Sequence, residues 1–233
     1  MEATPEASGM ISFQQALFLS TGFVLGIRHA FDRDHVAAVT HFVSLEPNPL
    51  KSAWFGCRWA IGHALSVLIL GSLILIFHLK LDPSFERYAE LAVGFSLLLL
   101  GIWRLVLLAQ ERRHEHRHTH RSKEHTHLHS HEPGSPHIHW FAPTLVGIVH
   151  GASGTVEVFV LIPISMMAVA WLAYLYIGLF SIGCAASMSG YGYLAGRFYH
   201  RATQKGRKIY HALVILTSSC GLILGVVWIL KNL

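Results

Sequence analysis

The sequence predicts an all-α, polytopic membrane protein of about six transmembrane helices, arranged as two inverted three-helix repeats. Three observations carry this. The 233 residues are 52% hydrophobic and only 13% charged, with mean hydropathy +0.45, which is too apolar for an ordinary soluble domain. Apolar runs recur along the chain, each long enough for a hydrocarbon core of roughly 30 Å. A short motif of the first half, Gly26-Ile-Arg-His29, returns in the second as Gly147-Ile-Val-His150.

The expected spans, in order, are Phe13 to about Val43, Trp54 to Phe77, Tyr88 to Leu108, Ala142 to Ile164, Met167 to Leu194 and His211 to Leu230. The first and fifth runs are long enough to be a span plus a partial helix. Glu46-Pro-Asn-Pro-Leu is the first turn, Leu81-Asp-Pro-Ser the second, with Asp82 or Ser84 as cap. Arg104 is expected to snorkel from the end of the third span. His41, His78, His200 and His211 are expected at the interfaces. The domain division is 1–109 for the first repeat, 110–140 for a His-rich loop and 141–233 for the second repeat. Cys57, Cys184 and Cys220 stand alone among apolar residues and supply neither a disulfide framework nor a Cys-x-x-Cys site. Met1 to Met10 is acidic and lacks the basic start of a cleaved signal peptide.

The chain is organised around Gly26 to His41. Fifteen mostly apolar residues, Phe13 to Ile27, run into Arg28-His29-Ala-Phe-Asp32-Arg33-Asp34-His35, and apolar residues follow. A charge at mid-membrane costs roughly 2.5–3.5 kcal/mol on insertion scales. Such a cluster persists only if its charges pair or do work. On an ideal helix His29, Asp32 and His35 lie three apart on one line. Asp34 points away unless the helix unwinds there. Imidazole and carboxylate together suit a divalent transition metal, in square-planar or tetragonal N/O geometry. An internal salt-bridge network is the plainer alternative. His63, alone between Gly62 and Ala64, reads by itself as a hydrogen-bonded core histidine. His150 and Glu157 are seven apart, two helical turns, and share a face. They serve either an ion pathway or helix–helix hydrogen bonding.

Ten of the eighteen histidines lie between His114 and His139, mostly in His-x-His pairs such as His118/His120 and His125/His127. Such tracts bind transition metals loosely. With Pro133-Gly-Ser-Pro136 inside it, the loop is expected to be disordered. Basic residues cluster at Lys51 and Arg58, at Arg112 to Lys123, and at Arg197 to Lys208; the opposite side holds Lys80, Arg87 and Lys231. The positive-inside rule then puts both termini outside and the His-rich loop in the cytoplasm, with the protein multi-pass in the cell (inner) membrane. The +5 net charge is accounted for by these loops, so no nucleic-acid partner is implied. Each copy of the Gly-Ile-x-His motif opens a three-span half, so the halves are inverted. Inverted repeats with polar, interrupted helices mark secondary transporters, with the site at their interface.

Arg28-His-Ala-Phe-Asp-Arg-Asp-His-Val36 resembles the nickel/cobalt transporter signature His-x4-Asp-His. Ile61-Gly-His-Ala-Leu-Ser-Val67 is similar to that family's second motif. Val146 to Glu157 and Phe180 to Met188 resemble, more loosely, the short six-span branch that includes urease-associated nickel permeases. The resemblance implies a Ni²⁺ or Co²⁺ permease with His29, Asp32, Asp34, His35 and His63 at the site and His150 and Glu157 as second-half candidates. It implies no cofactor: the metal is the transported substrate. Arg33 replaces the usual alanine and would repel a cation unless paired with Asp32 or Glu157. Larger members carry a further N-terminal helix, and a chain without it would start outside. Nickel/cobalt efflux proteins also carry His-rich loops, so the motifs do not separate import from export. A cytoplasmic metallochaperone is the protein partner expected. Two other classes stand against transport. An intramembrane metalloenzyme would need a base such as the Glu of His-Glu-x-x-His, which the motif lacks. A non-transporting metal-binding accessory protein would bind ions and move none.

Overall fold

The computed structural model describes residues 12–77, 82–113, 141–153, 157–165, 167 and 169–233; at 83, 111–113, 157 and 158 it describes the backbone alone. The described residues are all-helical: α1 (Phe13–Ala30), α2 (Arg33–Leu45), α3 (Pro49–Phe77), α4 (Pro83–Arg113), α5 (Ala142–His150), a π-helical turn (Glu157–Leu161), α6 (Ile162–Ser165), α7 (Ala170–Lys205) and α8 (Arg207–Asn232). The His-rich stretch and His78 lie outside the described residues.

Helix boundaries follow local chemistry. Ser12 opens α1 with a capping box: its Oγ accepts from the Gln15 N–H, and Gln15 Oε1 accepts from the Ser12 N–H. Asn48 accepts from the N–H groups of Leu50 and Lys51, and Pro49 takes the first helical position of α3. Asp82 accepts from the Ser84 N–H at the start of α4, and hydrogen bonding from the Ser84 side chain, with that backbone bond, holds its carboxyl below the usual carboxylate value. Gly206, at φ 134°, is the whole of the link between α7 and α8; only glycine adopts that φ without strain.

Four helices are long and apolar enough to cross a membrane: Pro49–Phe77, Ser84–Gln110, Ala170–Lys205 and Arg207–Asn232. They make the chain a polytopic membrane protein. They also overrun the expected limits, so that Lys51 and Arg58 fall inside α3, and Arg197, Arg201 and Lys205 inside α7. The basic segments expected as loops are largely helix ends. The expected first and fourth spans are each interrupted. The first breaks at Phe31–Asp32, where Asp32 takes an extended φ/ψ of −62°, 146° and starts α2. The fourth stops at His150 and resumes through the π turn.

The most extensive helix pair is α3 with α7, followed by α4 with α8, α1 with α7 and α3 with α5. All four close on glycine backbone, and two of them, α1 with α7 and α3 with α5, do so in matching fashion. A Cβ on Gly26 would stand 2.1 Å from the Phe180 carbonyl oxygen, and one on Gly183 2.3 Å from that of Phe23, joining α1 to α7. A Cβ on Gly147 would stand 2.0 Å from the Trp59 carbonyl oxygen, and one on Gly62 2.0 Å from that of Thr144, joining α5 to α3. From 23 to 144, 26 to 147, 59 to 180 and 62 to 183 the interval is the same 121 residues. The same contact is therefore built twice, with the roles of the halves exchanged. Small residues are what let membrane helices approach this closely.

The contact is testable at one atom. Gly147→Ala must push α5 off the α3 backbone and is expected to cost about 1–3 kcal/mol. It should lower the thermal aggregation midpoint and the folded yield of the detergent-solubilised protein. Gly178→Ala, where a Cβ meets nothing within 4 Å, should leave both unchanged or slightly raised. Equal behaviour of the two variants would remove the packing argument.

Candidate metal centre

The break after α1 places its last residues beside the first turn of α2. His29 (0% exposed), Asp34 (6%) and His35 (1%) are buried there, together with His63 of α3 (1%) and His150 at the end of α5 (0%). His29, His35 and His63 each offer a ligand atom, and these atoms all lie within 4.8 Å of one another.

Hydrogen bonds fix which ring nitrogen is available. A carboxylate or carbonyl oxygen only accepts, so the nitrogen facing it carries the proton. His29 Nδ1 donates to Asp32 Oδ2 at 2.9 Å. His35 Nδ1 donates to the His29 carbonyl at 3.0 Å, and His150 Nδ1 to the Val146 carbonyl at 2.8 Å. Each neutral ring therefore presents its lone pair at Nε2. Histidine ligands are commonly oriented this way, by an acceptor on the far nitrogen. His29 Nε2 and His63 Nε2 are 3.0 Å apart, so His63 is the donor between them. The Nε2 atoms of His35 and His150, and Nδ1 of His63, are buried with no hydrogen-bond partner in the structure. Asp34 Oδ2 is 3.4 Å from His35 Nε2 and 4.0 Å from His150 Nε2.

These separations fit a metal. Bonds of about 2.1 Å put adjacent ligand atoms about 3.0 Å apart at a right angle and about 4.2 Å apart when opposite. Unpartnered buried nitrogens are otherwise costly, about 1–3 kcal/mol each.

The seven expected site residues divide as follows. His29, Asp34, His35, His63 and His150 come together. Asp32 is half-buried and holds the far side of the His29 ring. The Glu157 side chain lies outside the description. Asp34 turns inward, and Asp32 partly outward, because α2 starts afresh at Asp32 rather than continuing α1. Arg28 and Arg33 are both exposed. Arg28 lies over the Phe159 ring, 5.3 Å from its centroid.

Other expectations need correction. Arg104 does not snorkel: it is 0% exposed, donating through Nε to Ser44 Oγ and through Nη2 to the Ser44 carbonyl and the Tyr210 hydroxyl. His41 and His211 are buried, not interfacial; His41 sits where α8 has Gly221 in place of a side chain. Trp59 was not singled out. Its ring centroid lies 4.6 Å from His35, 5.1 Å from His63 and 5.8 Å from His150, so it walls the centre. Its place four residues before His63, on the same helical face, was the available signal.

The described helices thus form a polytopic bundle enclosing a buried His/carboxylate cluster that could hold a metal ion. The chain is 32% identical to the urease accessory protein UreH of Bacillus sp. (strain TB-90), over 208 residues, 89% of this chain and 88% of that protein. It is 34% identical to the nickel transporter NixA of Staphylococcus aureus (strain NCTC 8325 / PS 47) over 95 residues, 37% of this chain and 28% of that one. No family model matches the chain, and no solved structure matches it significantly. The chain belongs to the nickel/cobalt transporter family, in the branch represented by UreH.

The Asp32–His29 hydrogen bond makes a prediction. Removing its charge in Asp32→Asn should weaken Ni²⁺ or Co²⁺ binding at the centre about 10–100-fold without abolishing it. The readout is the tightest phase of a calorimetric titration in detergent. An unchanged tightest phase would mean that Asp32 does not set the His29 ring.

Proposed function

We propose that this protein carries Ni²⁺ or Co²⁺ across the membrane, with His29, Asp34, His35, His63 and His150 as the intramembrane ligands and Asp32 as support. The observation that carries this reading is the convergence of buried imidazole lone pairs, unused by any internal hydrogen bond, between membrane-crossing helices. The names of the two relatives, a nickel transporter and a urease accessory protein, favour nickel.

The broken first and fourth segments complete a six-span body in this reading. The twice-built glycine contact at an interval of 121 residues supports two inverted repeats, 1–109 and 141–233, with the site where they meet. The termini face outward and the His-rich segment, 110–140, lies in the cytoplasm as a collector of the same ion. Arg33, being exposed, does not stand among the proposed ligands. The name of the UreH relative supports a second reading, a membrane accessory protein that binds nickel without moving it. Ni²⁺ flux measured in both directions in oriented proteoliposomes separates the two. An accessory protein binds and shows no flux.

Within the transport reading, His29→Ala and His35→Ala should each abolish flux while leaving inserted, monodisperse protein. Wild-type flux in either variant would exclude this centre from the pathway.

The pH dependence follows from ligand chemistry. An imidazole binds metal only when neutral, so protons compete with the ion. Below the site's apparent pKa, affinity should fall about tenfold per pH unit for each histidine that must lose a proton. Deleting His114 to His131 removes eight of the ten loop histidines, and with them most of the loop's own titration, and should retain flux. The half-saturating Ni²⁺ concentration of that variant should therefore rise steeply on acidification. Constant half-saturation from about pH 5 to pH 8 would mean that carboxylates alone hold the ion.

A further inference from the structure

We propose that the ion has two adjacent stations, one made by His29, His63 and His35 and the other by Asp34, His150 and His35, and that His35 stays bound while the others exchange. This rests on the transport reading above and adds the path of the ion inside the centre.

Geometry separates the two sets. The His29 and His63 Nε2 atoms, 3.0 Å apart, have the spacing of adjacent ligands on one ion, once the proton that His63 donates from Nε2 sits on its unpartnered Nδ1 instead. With His35 they form the mutual set, which stops short of His150. The His35 ring neighbours both groups, its centroid 4.5 Å from His29, 5.3 Å from His63 and 5.8 Å from His150. Asp34 Oδ2 stands between the remaining pair of nitrogens, 3.4 Å from His35 Nε2 and 4.0 Å from His150 Nε2. Each Asp34 pair is within the span of about 4.2 Å that one ion bridges, so Asp34 is the donor common to both nitrogens. Asp34 and His150 fall outside the mutual set of the three histidines.

Burial supports the second station independently. His150 is 0% exposed, its Nδ1 proton is committed to the Val146 carbonyl, and its Nε2 has no partner. The orientation that leaves this lone pair directed at the centre is held by α5 itself. The stations also differ in chemistry and origin. The first is all imidazole, drawn from α1, α2 and α3. The second adds a carboxylate and takes its imidazole from α5 in the other half. An ion moving from one to the other gains a negative charge and crosses from the first half to the interface of the two. Keeping His35 bound avoids a fully unliganded ion at mid-membrane. Release requires that no single site hold the ion too tightly, and neighbouring sites provide that.

The test measures Ni²⁺ flux in proteoliposomes and Ni²⁺ binding in detergent on the full chain, for the wild type, His150→Ala and His150→Cys. With two stations, His150→Ala lowers maximal flux on the order of tenfold or more while tight binding and half-saturation stay unchanged. His150→Cys restores part of the flux and adds a thiolate-to-nickel charge-transfer band absent from the wild type. A His150→Ala protein whose tight binding weakens in step with its flux would reduce the centre to one site. Wild-type flux in His150→Ala, or no new band in an inserted His150→Cys protein, would take His150 off the path. Binding without flux in the wild type would instead overturn the transport reading, and the hand-off with it.

Discussion

The centre depends on one backbone carbonyl, that of His29. At the break between α1 and α2 this oxygen loses the partner that a continuing helix would supply. Inside a bilayer an unsatisfied carbonyl costs several kcal/mol. Here it accepts from the Asp32 N–H at 3.0 Å and from His35 Nδ1 at 3.0 Å. The second bond does three things together. It satisfies the oxygen, fixes the His35 tautomer and holds the first turn of α2 against the end of α1. The new direction of α2 then buries Asp34 and leaves Asp32 half-buried beside the His29 ring. The bend and the ligand geometry have the same cause.

α2 is held at its other end by a different polar network. Ser44 accepts from Arg104 through both its hydroxyl and its carbonyl, and the carbonyl also accepts from the Tyr210 hydroxyl. Between the ends, Thr40 shares a hydrogen bond with Tyr191 of α7. A 13-residue helix is thereby tied to α4, α7 and α8 by groups that would be expensive to bury alone. The buried guanidinium is spent on a serine carbonyl and hydroxyls, at the far end of α2 from the histidines. The two arginines next to the histidines are exposed instead. The cationic groups nearest in sequence thus stay out of a cluster whose proposed occupant is itself a cation.

Much of this was legible in the sequence, and the remainder has identifiable physical reasons. Hydropathy located the long helices because a bilayer leaves few alternatives to them. The charged interruption at residues 28–35 was visible as a cost that needed a cause. The inward turn of Asp34 was not visible on an ideal helix, because it exists only once the helix is broken. The repeat was legible through Gly26 and Gly147 with their histidines. Its other half, Gly62 with Gly183, was not, because a glycine in an apolar run does not announce which backbone it touches. Arg104 was misplaced because a basic residue near a span end normally reaches the interface. Only the fold brings Ser44 and Tyr210, 60 and 106 residues away, within its reach. The C-terminal end of α7 runs through basic residues that read as loop, because arginine and lysine are good helix formers.

The half-helices bear on the sign of the charge the centre prefers. α1 ends at Ala30 and α5 at His150, so both bring their C-termini to the cluster. A helix C-terminus carries about half a negative charge on its last carbonyls. His29, in the last turn of α1, and His150, the last residue of α5, are related by the same 121-residue interval as the glycine contacts that hold each half-helix against its neighbour. In opposition, α2 brings an N-terminus, whose partial positive charge meets Asp32 at the cap and Asp34 in the first turn. The carboxylates outweigh the α2 dipole, and the two C-termini add to them. The backbone and the side chains therefore act in the same sense. Imidazole supplies neutral donors with fixed lone pairs, carboxylate supplies charge, and the broken helices supply a field that favours a cation in the space between them.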